Sequence, residues 1–434
     1  MMSVTSNLNA ALRQYWGYEE FRPRQEEIVR AVLAGRDCAV IMPTGAGKSL
    51  CYQLPAVLKQ GTAVVVSPLI ALMEDQVAHL DRMGIPSAHL SSSVPYPDQR
   101  KIMARAITGS FRLIYISPER LAKPETLAWL QKLPLSFFAI DEAHCISEWG
   151  HEFRPEYRLL GNLRNAFPNT PIAAFTASAT RRVRHDILSQ LGLRDPAKFI
   201  SSFQRPNLNY LVKSCDGVPQ ESLILAALAA HTGKTVILYA PTIARVEEIA
   251  SWLTRKGFPA VPYHGQMDPI QRKANQERWM SGEIRVLVGT IAFGLGINKP
   301  DVRAVIHLSL PKSLEQYYQE SGRAGRDGLQ AECLLLWQKK DIGLLAHFIE
   351  SVADPRERER AWQRYHSMRR FVDSTTCRQR QICAHFGETP KWDQCGHCDI
   401  CSNLPQWLTH ALQQAATPRP SRRRSRKYGS ASRR

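Results

Sequence analysis

Over the first two-thirds of the chain, short continuous apolar runs alternate with stretches whose apolar positions recur every three to four residues. Runs at 38–42, 62–67, 111–117, 137–140 and 172–176 predict buried strands. Between them, 25–33 places Ile28, Val29, Val32 and Leu33 on one helical face, and 71–83 reads the same way. After about residue 205 the alternation restarts, with runs at 235–240, 260–263, 285–290, 304–309 and 333–337. Strands that are apolar at every position need cover on both faces, which parallel sheets between helical layers provide. Two such sets predict two α/β domains in tandem. Past Lys340 the strand signal stops. Residues 341–371 read as an Arg-rich helix, and a cysteine cluster follows. From 403 the chain turns Pro-, Ser- and Arg-rich, a composition expected to be disordered.

The chain has 434 residues and 44% hydrophobic content, enough for two or three cored domains. No run approaches 18 apolar residues, and the amino terminus lacks the apolar segment and cleavage site of a secretory signal, so no membrane partner is expected. Net charge is +18, and the last 17 residues hold eight Lys/Arg and no acid. That balance predicts a polyanionic partner, because each cation that neutralises a phosphate releases condensed counterions. The plainer alternative is a soluble surface with an adventitious tail.

The strongest chemical signal is MPTGAGKS at 42–49, after a strand and before a helix. Glycines let the backbone wrap a phosphate chain at a helix amino terminus; Lys48 reaches the terminal phosphates and Ser49 holds Mg²⁺. Thr44, Gly45, Ala46 and Gly47 complete the loop, and Met42 replaces the first glycine of the strict pattern. The run 137–140 ends in Asp141-Glu142-Ala143-His144, at a strand's carboxyl end where ligands of open sheets collect. Asp141 is expected on Mg²⁺ and Glu142 on the attacking water. An acid pair favoured by a helix dipole is the bland reading, and Lys48 outweighs it.

At this point the chain resembles the superfamily 2 helicases and, within them, the RecQ DNA helicases, over about residues 8–403. Tyr18 and FRPRQ at 21–25 look like an adenine-recognition segment, which implies Tyr18 and Arg22 around the base and Gln25 on its edge. SPLIALMEDQ at 67–76, with Ser67, FTASAT at 175–180 and GTIAFGLGINKPDV at 289–302 look like segments that hold the DNA backbone. QESGRAGRDG at 319–328 looks like the arginine-finger block. It implies catalytic roles for Gln319, Arg323 and Arg326, with Arg326 as the finger. AHCISEWGHEFRPEY at 143–157 looks like the family's aromatic-rich loop, with Trp149, His151, Phe153 and Arg154 as DNA contacts. Its polar flanks do not suit a core run, and base–aromatic stacking contributes about 1–3 kcal/mol per base. Arg24 stands where the family usually has Gly, and Ala46 where a Gly is common.

Cys377, Cys395, Cys398 and Cys401 are spaced to surround one ion, and closure by four sulfurs predicts structural Zn²⁺. An iron–sulfur cluster uses the same ligands, and Cys383 and His397 are possible substitutes. The arrangement matches the zinc module of the RecQ family.

The expected architecture is therefore α/β, two tandem RecA-like parallel-sheet domains (1–205 and 206–340), then a small helical zinc-binding module (341–405) and a disordered basic tail (406–434). The resemblance implies an ATP-, Mg²⁺- and Zn²⁺-dependent 3′→5′ DNA helicase of recombination and repair. It acts on single-stranded and forked DNA and is expected as a cytoplasmic, nucleoid-associated monomer. Single-strand-binding or recombination proteins are the expected protein partners. Longer members continue into winged-helix and small helical domains, so this chain reads as a short form. The alternatives are a DNA-stimulated translocase with little unwinding and a non-enzymatic DNA-binding scaffold.

Overall fold

The computed structural model describes residues 4–150, 152–291, 293 and 299–416. The first domain holds strands β1 Cys38–Ile41, β2 Thr62–Val66, β3 Ser87–Leu90, β4 Leu113–Ile116, β5 Leu135–Ile140, β6 Ile172–Thr176 and β7 Ala197–Ile200. They form one parallel sheet in the order β3-β4-β2-β5-β6-β1-β7. The second holds β8 Leu208–Ser214, β9 Thr235–Tyr239, β10 Ala260–Tyr263, β11 Val286–Gly289, β12 Val302–His307 and β13 Ala331–Trp337, parallel in the order β10-β11-β9-β12-β13-β8. Two tandem parallel-sheet domains agree with the hydrophobic pattern.

Alternation inside each buried strand supplies two cores. Val64, Val66, Ile114, Ile116, Phe138 and Ile140 face one helical layer, while Ala63, Val65, Leu113, Tyr115, Phe137 and Ala139 face the other. Burying each large apolar side chain stabilises the fold by about 1.5–3 kcal/mol. Among the described residues no helix is long and apolar enough to cross a membrane.

The predicted helix at 341–371 is two helices, Lys339–Glu350 and Pro355–Asp373. The break has a local cause: Pro355 cannot continue the first helix but suits the first turn of the second, where the Asp354 side chain accepts from Arg356 N. A shorter helix, Arg378–His385, carries the first cysteine at its amino end. Its carboxyl end rests on the linker between the two sheets. There Phe386 stacks on Phe203 at 4.4 Å, and Glu388 accepts from Ser202 Oγ at 2.7 Å and Phe203 N at 2.8 Å. Arg181 of the first domain donates to Gly387 O, and His385 pairs with Glu315 of the second at 2.7 Å. The module thus touches both domains.

The expected tail needs one correction. Gln406–Ala416 is a helix, packed on the helix Gln220–Ala230 with Leu408 and Ala411 buried. Trp407, Leu408, Ala411 and Leu412 recur at helical spacing, and that apolar face outweighs the surrounding polar composition. Residues 417–434 lie outside the described residues.

Candidate active site and metal centre

Adjacency in the first sheet assembles the site. Strands β5, β6 and β1 are neighbours, and their carboxyl ends release Asp141-Glu142, Ala177-Ser178 and the phosphate loop onto one edge. The second domain closes this edge with the helix Leu314–Ser321 and the turn that follows it. Between them lies a cleft of about 680 Å³. Its lining includes Tyr18, Lys48, Asp141, Glu142, Arg323 and Arg326.

Gly45 and Gly47 have φ of 85° and 82°, which only glycine adopts cheaply, whereas Ala46 between them does not, so a methyl group is tolerated there. The family glycine replaced by Arg24 is explained similarly: Arg24 sits at φ 67°, the left-handed region where glycine costs least. Lys48 Nζ donates to Met42 O at 3.3 Å, and burial lowers its pKa against the opposing pull of Glu142 and Asp141. Asp141 takes its backbone from β2 through Val66 O at 2.9 Å, and burial followed by Glu142 pushes its carboxyl up to about 7. Glu142 has φ 46° without being glycine, held there by its N–H on Asp141 Oδ1 at 3.0 Å. Asp141, Ser49 and the phosphate chain offer the hard oxygen donors that Mg²⁺ requires.

His144 extends the acid pair inward. One ring nitrogen lies 3.3 Å from Glu142 and 2.9 Å from Thr176 Oγ1, and the other is 4.0 Å from Glu152. Thr176 Oγ1 accepts from Ser178 N, and Ser178 Oγ accepts from Gln319 Nε2 at 2.8 Å. That continuous path from the first domain's acids to the second domain's helix runs through Thr176 and Ser178 of the segment 175–180 and through His144, to which sequence reasoning gave no role.

Arg323 is buried against the Tyr239 hydroxyl, and Arg326 lies against the phosphate loop: a Cβ on Gly45 would stand 3.1 Å from Arg326 Cγ. Burial, then Arg323 and Arg205, draw the Arg326 pKa down to about 9. Crowded guanidinium groups of this kind are prearranged for a polyanion.

The residues of the adenine segment, Tyr18, Arg22 and Gln25, all line the cleft, and Tyr18 is 52% exposed at its rim. Arg22 Nη1 also donates to Gly45 O at 2.5 Å, and Gln25 Nε2 donates to Ala46 O and Gly47 O at 3.1 and 3.2 Å. Both residues spend these donors on the phosphate loop, whose carbonyls face them.

The aromatic-rich loop is folded onto protein. Arg182 lies 3.1 Å above the Trp149 ring and Arg360, from the helix Pro355–Asp373, lies 5.6 Å from it; Arg158 lies 5.4 Å from Phe153. Arg154 Nη1 donates to Pro68 O at 3.1 Å, joining this loop to the segment that begins at Ser67. Ser67 itself is buried. His151 lies outside the described residues, as do Ala292 and 294–298 of the segment 289–302.

The four cysteines converge. The sulfurs of Cys377, Cys395, Cys398 and Cys401 all lie within 4.8 Å of one another, with Cys398 and Cys401 3.4 Å apart. Tetrahedral zinc with Zn–S of about 2.3 Å needs sulfurs about 3.8 Å apart, so the set fits. Arg378 N points at Cys398 Sγ from 3.5 Å, and a hydrogen bond from Cys395 draws the Cys398 pKa down to about 4. The four cysteines are favoured over the substitute ligands because Cys383 is not in this group and His397 Nε2 is engaged by Gln379 at 2.8 Å.

Comparison with known proteins places these features in a family. Residues 22–187 match the DEAD/DEAH box helicase family, 220–328 the helicase conserved C-terminal domain, and 339–402 the RecQ zinc-binding family. An ATP-dependent DNA helicase RecQ of Pasteurella multocida is 42% identical over 396 residues, 91% of this chain and 62% of that one. A putative ATP-dependent DNA helicase Q1 of Caenorhabditis briggsae is 42% identical over 94% of this chain and 68% of its own length. The chain spans less than two-thirds of the length of most curated relatives it matches, from 31% to 68%. Among solved structures, Mycobacterium smegmatis helicase Lhr bound to ssDNA and AMP-PNP superposes with a TM-score of 0.60 at 22% identity. The match covers 79% of this chain and 49% of that one, and shows the shared fold. Two RecA-like domains, a phosphate loop facing two arginines, and four sulfurs around one centre thus coincide with extended sequence identity, and the chain belongs to the RecQ family of helicases.

Proposed function

We propose that this chain is an ATP-dependent helicase that moves 3′→5′ along single-stranded DNA and separates the strands of forked DNA during recombination and repair. The observation that carries the reading is that Lys48, Asp141 and Glu142 from one domain line a single cleft with Gln319, Arg323 and Arg326 from the other. A triphosphate held there is contacted from both sides, so its hydrolysis changes the affinity of the domains for each other. Lys48 and the loop amides bind the phosphates, Glu142 orients water toward the γ-phosphorus, and Arg326 neutralises charge that develops on the γ-oxygens. Ser49 and Asp141 would hold Mg²⁺, which would supply Lewis-acid charge to the bound phosphates. The aromatic-rich loop starts immediately after Glu142. A strand that stacks on Trp149 or Phe153 therefore acts on the peptide that carries the catalytic acid.

The test uses a forked duplex with a 3′ single-stranded arm, with ATP hydrolysis and strand separation followed together and Lys48→Ala as control. Both activities, each lost in the variant, are expected. DNA-stimulated hydrolysis with the strands still paired would make the protein a translocase, and a Lys48→Ala variant that behaves as the parent would leave only a binding scaffold.

A further inference from the structure

Arg205 belongs to no motif described above, yet it touches both sides of the cleft. It lies in the linker between β7 and β8. Nη1 donates to Thr44 O of the phosphate loop at 2.9 Å and to Gly322 O at 3.3 Å. Nη2 donates to Ala324 O at 3.1 Å and Gly325 O at 3.3 Å. The last three carbonyls belong to the turn that carries Arg323 and Arg326, at the carboxyl end of the helix Leu314–Ser321. A cation at that end is favoured by the helix dipole, and only a planar fork reaches acceptors on two walls at once.

The surroundings of Arg205 are built to hold it. Asn207 Nδ2, two residues on, donates to Gly325 O at 2.8 Å and Leu329 O at 2.9 Å, so the linker cradles the same turn. From the zinc-binding module, Gln379 grips the Arg205 backbone by both groups: its Oε1 accepts from Arg205 N at 3.1 Å and its Nε2 donates to Arg205 O at 2.8 Å. Gln379 is 1% exposed and also meets His397, which stands between Cys395 and Cys398. One buried carboxamide therefore connects the metal-centre loop to the residue that spans the nucleotide cleft.

We infer that Arg205 is a positioning residue for the arginine-finger turn: it fixes that turn against the phosphate loop when the domains close, and Gln379 makes its placement depend on the folded zinc module. The inference rests on the reading that this cleft hydrolyses ATP with Arg326 as the finger. When the domains separate, the bond to Thr44 O breaks while those to Gly322, Ala324 and Gly325 stay with the second domain. Arg205 therefore stabilises the closed state rather than binding nucleotide.

The test measures DNA-stimulated ATP turnover and the affinity of a fluorescent ADP for the full chain, with thermal melting and zinc content as controls. Arg205→Gln is expected to lower kcat about tenfold and to leave KM and ADP affinity within about twofold, the pattern of a misplaced transition-state group. Combined with Arg326→Ala, it should add nothing further, because both act through one turn. Arg205→Lys keeps the charge but not the fork and should lose kcat as well, at unchanged melting temperature. Gln379→Met, of similar volume, should cost about threefold in kcat with zinc retained. Parental kcat in Arg205→Gln, or losses that multiply in the double variant, would overturn the inference. If Arg205→Gln does not fold, the lysine and Gln379 variants decide by the same criterion. A parent chain that hydrolyses no ATP would instead refute the functional reading.

Discussion

Gln319 donates a 2.8 Å hydrogen bond to Ser178, and through it the helix that precedes the arginine-finger turn meets the loop that leaves β6. Both side chains are almost fully buried, so the bond forms away from competing water. Ser178 leads through Thr176 and His144 to Glu142. Disturbing one end of this path is expected at the other. Gln319→Ala should leave ATP affinity near parental and slow hydrolysis about 10-fold or more, from the unmade buried bond and the misplaced turn. Single-turnover hydrolysis beside equilibrium nucleotide binding checks it; weakened binding with unchanged turnover would contradict it.

Lys48 and Arg326 line the same cleft from opposite domains, and their loss should have different signatures. Lys48→Ala removes a group that binds and stabilises charge, so turnover falls about 10²-fold or more and ATP affinity falls with it. Arg326→Ala should lower turnover by about 10³-fold with ATP affinity largely kept, the signature of an arginine finger. Phosphate release and nucleotide binding, measured on both variants, separate these outcomes.

Gly150 is fixed by space alone. Its φ is not in the left-handed region, but a Cβ there would stand 2.7 Å from His144 O and 3.1 Å from Ser147 O. Gly150→Ala forces the aromatic-rich loop to shift at a cost of about 1–3 kcal/mol. Because Trp149 precedes it and His144 touches Glu142, DNA stimulation of ATP hydrolysis should fall severalfold, with DNA-free turnover changed less. Turnover titrated with a single-stranded oligonucleotide reads this directly.

Removing zinc should unfold the module before the sheets. Structural zinc binding is folding free energy, and the cysteine-bearing segment 377–401 buries few apolar side chains of its own besides the ligands: Ile382, Cys383 and Phe386. Cys398→Ser, or chelation with verified metal loss, should lower the melting temperature and free the linker at Phe203, where Phe386 stacks. Amide exchange over 201–208 is the sensitive measure; unchanged protection after metal loss would exclude the coupling.

The helix Gln406–Ala416 is held by a small apolar contact, so Leu408→Ala should cost about 2–4 kcal/mol of that docking. Urea titration should show a lower midpoint, and amides of 406–416 should exchange faster than those of β9.

The central strands were legible in the sequence because they are buried on both faces and on both flanks: 63–66, 137–140 and 172–175 are apolar throughout. Three strands were not. Ser87–Leu90, Ala197–Ile200 and Leu208–Ser214 are edge strands, where one flank is unpaired and polar residues are admitted, as Lys198, Asn209 and Lys213 illustrate. The helix Gln406–Ala416 was missed because overall composition outweighed four apolar positions at the right spacing.

The same division runs through the site. By itself the sequence determined the phosphate loop, the acid pair and the four cysteines, whose local spacing records their chemistry. The two arginines of the finger turn were marked by resemblance to the helicase family. Only the tertiary structure decided that Arg22 and Gln25 grip the phosphate loop, that guanidinium groups cover Trp149, and that Arg205 spans the cleft under the hold of Gln379. Arg205 and Gln379, for example, are 174 positions apart in the chain. A polar side chain in a linker or a helix carries no periodic signature of such a partner. Its role is set by which carbonyl, carboxylate or ring the folded chain brings within hydrogen-bonding distance.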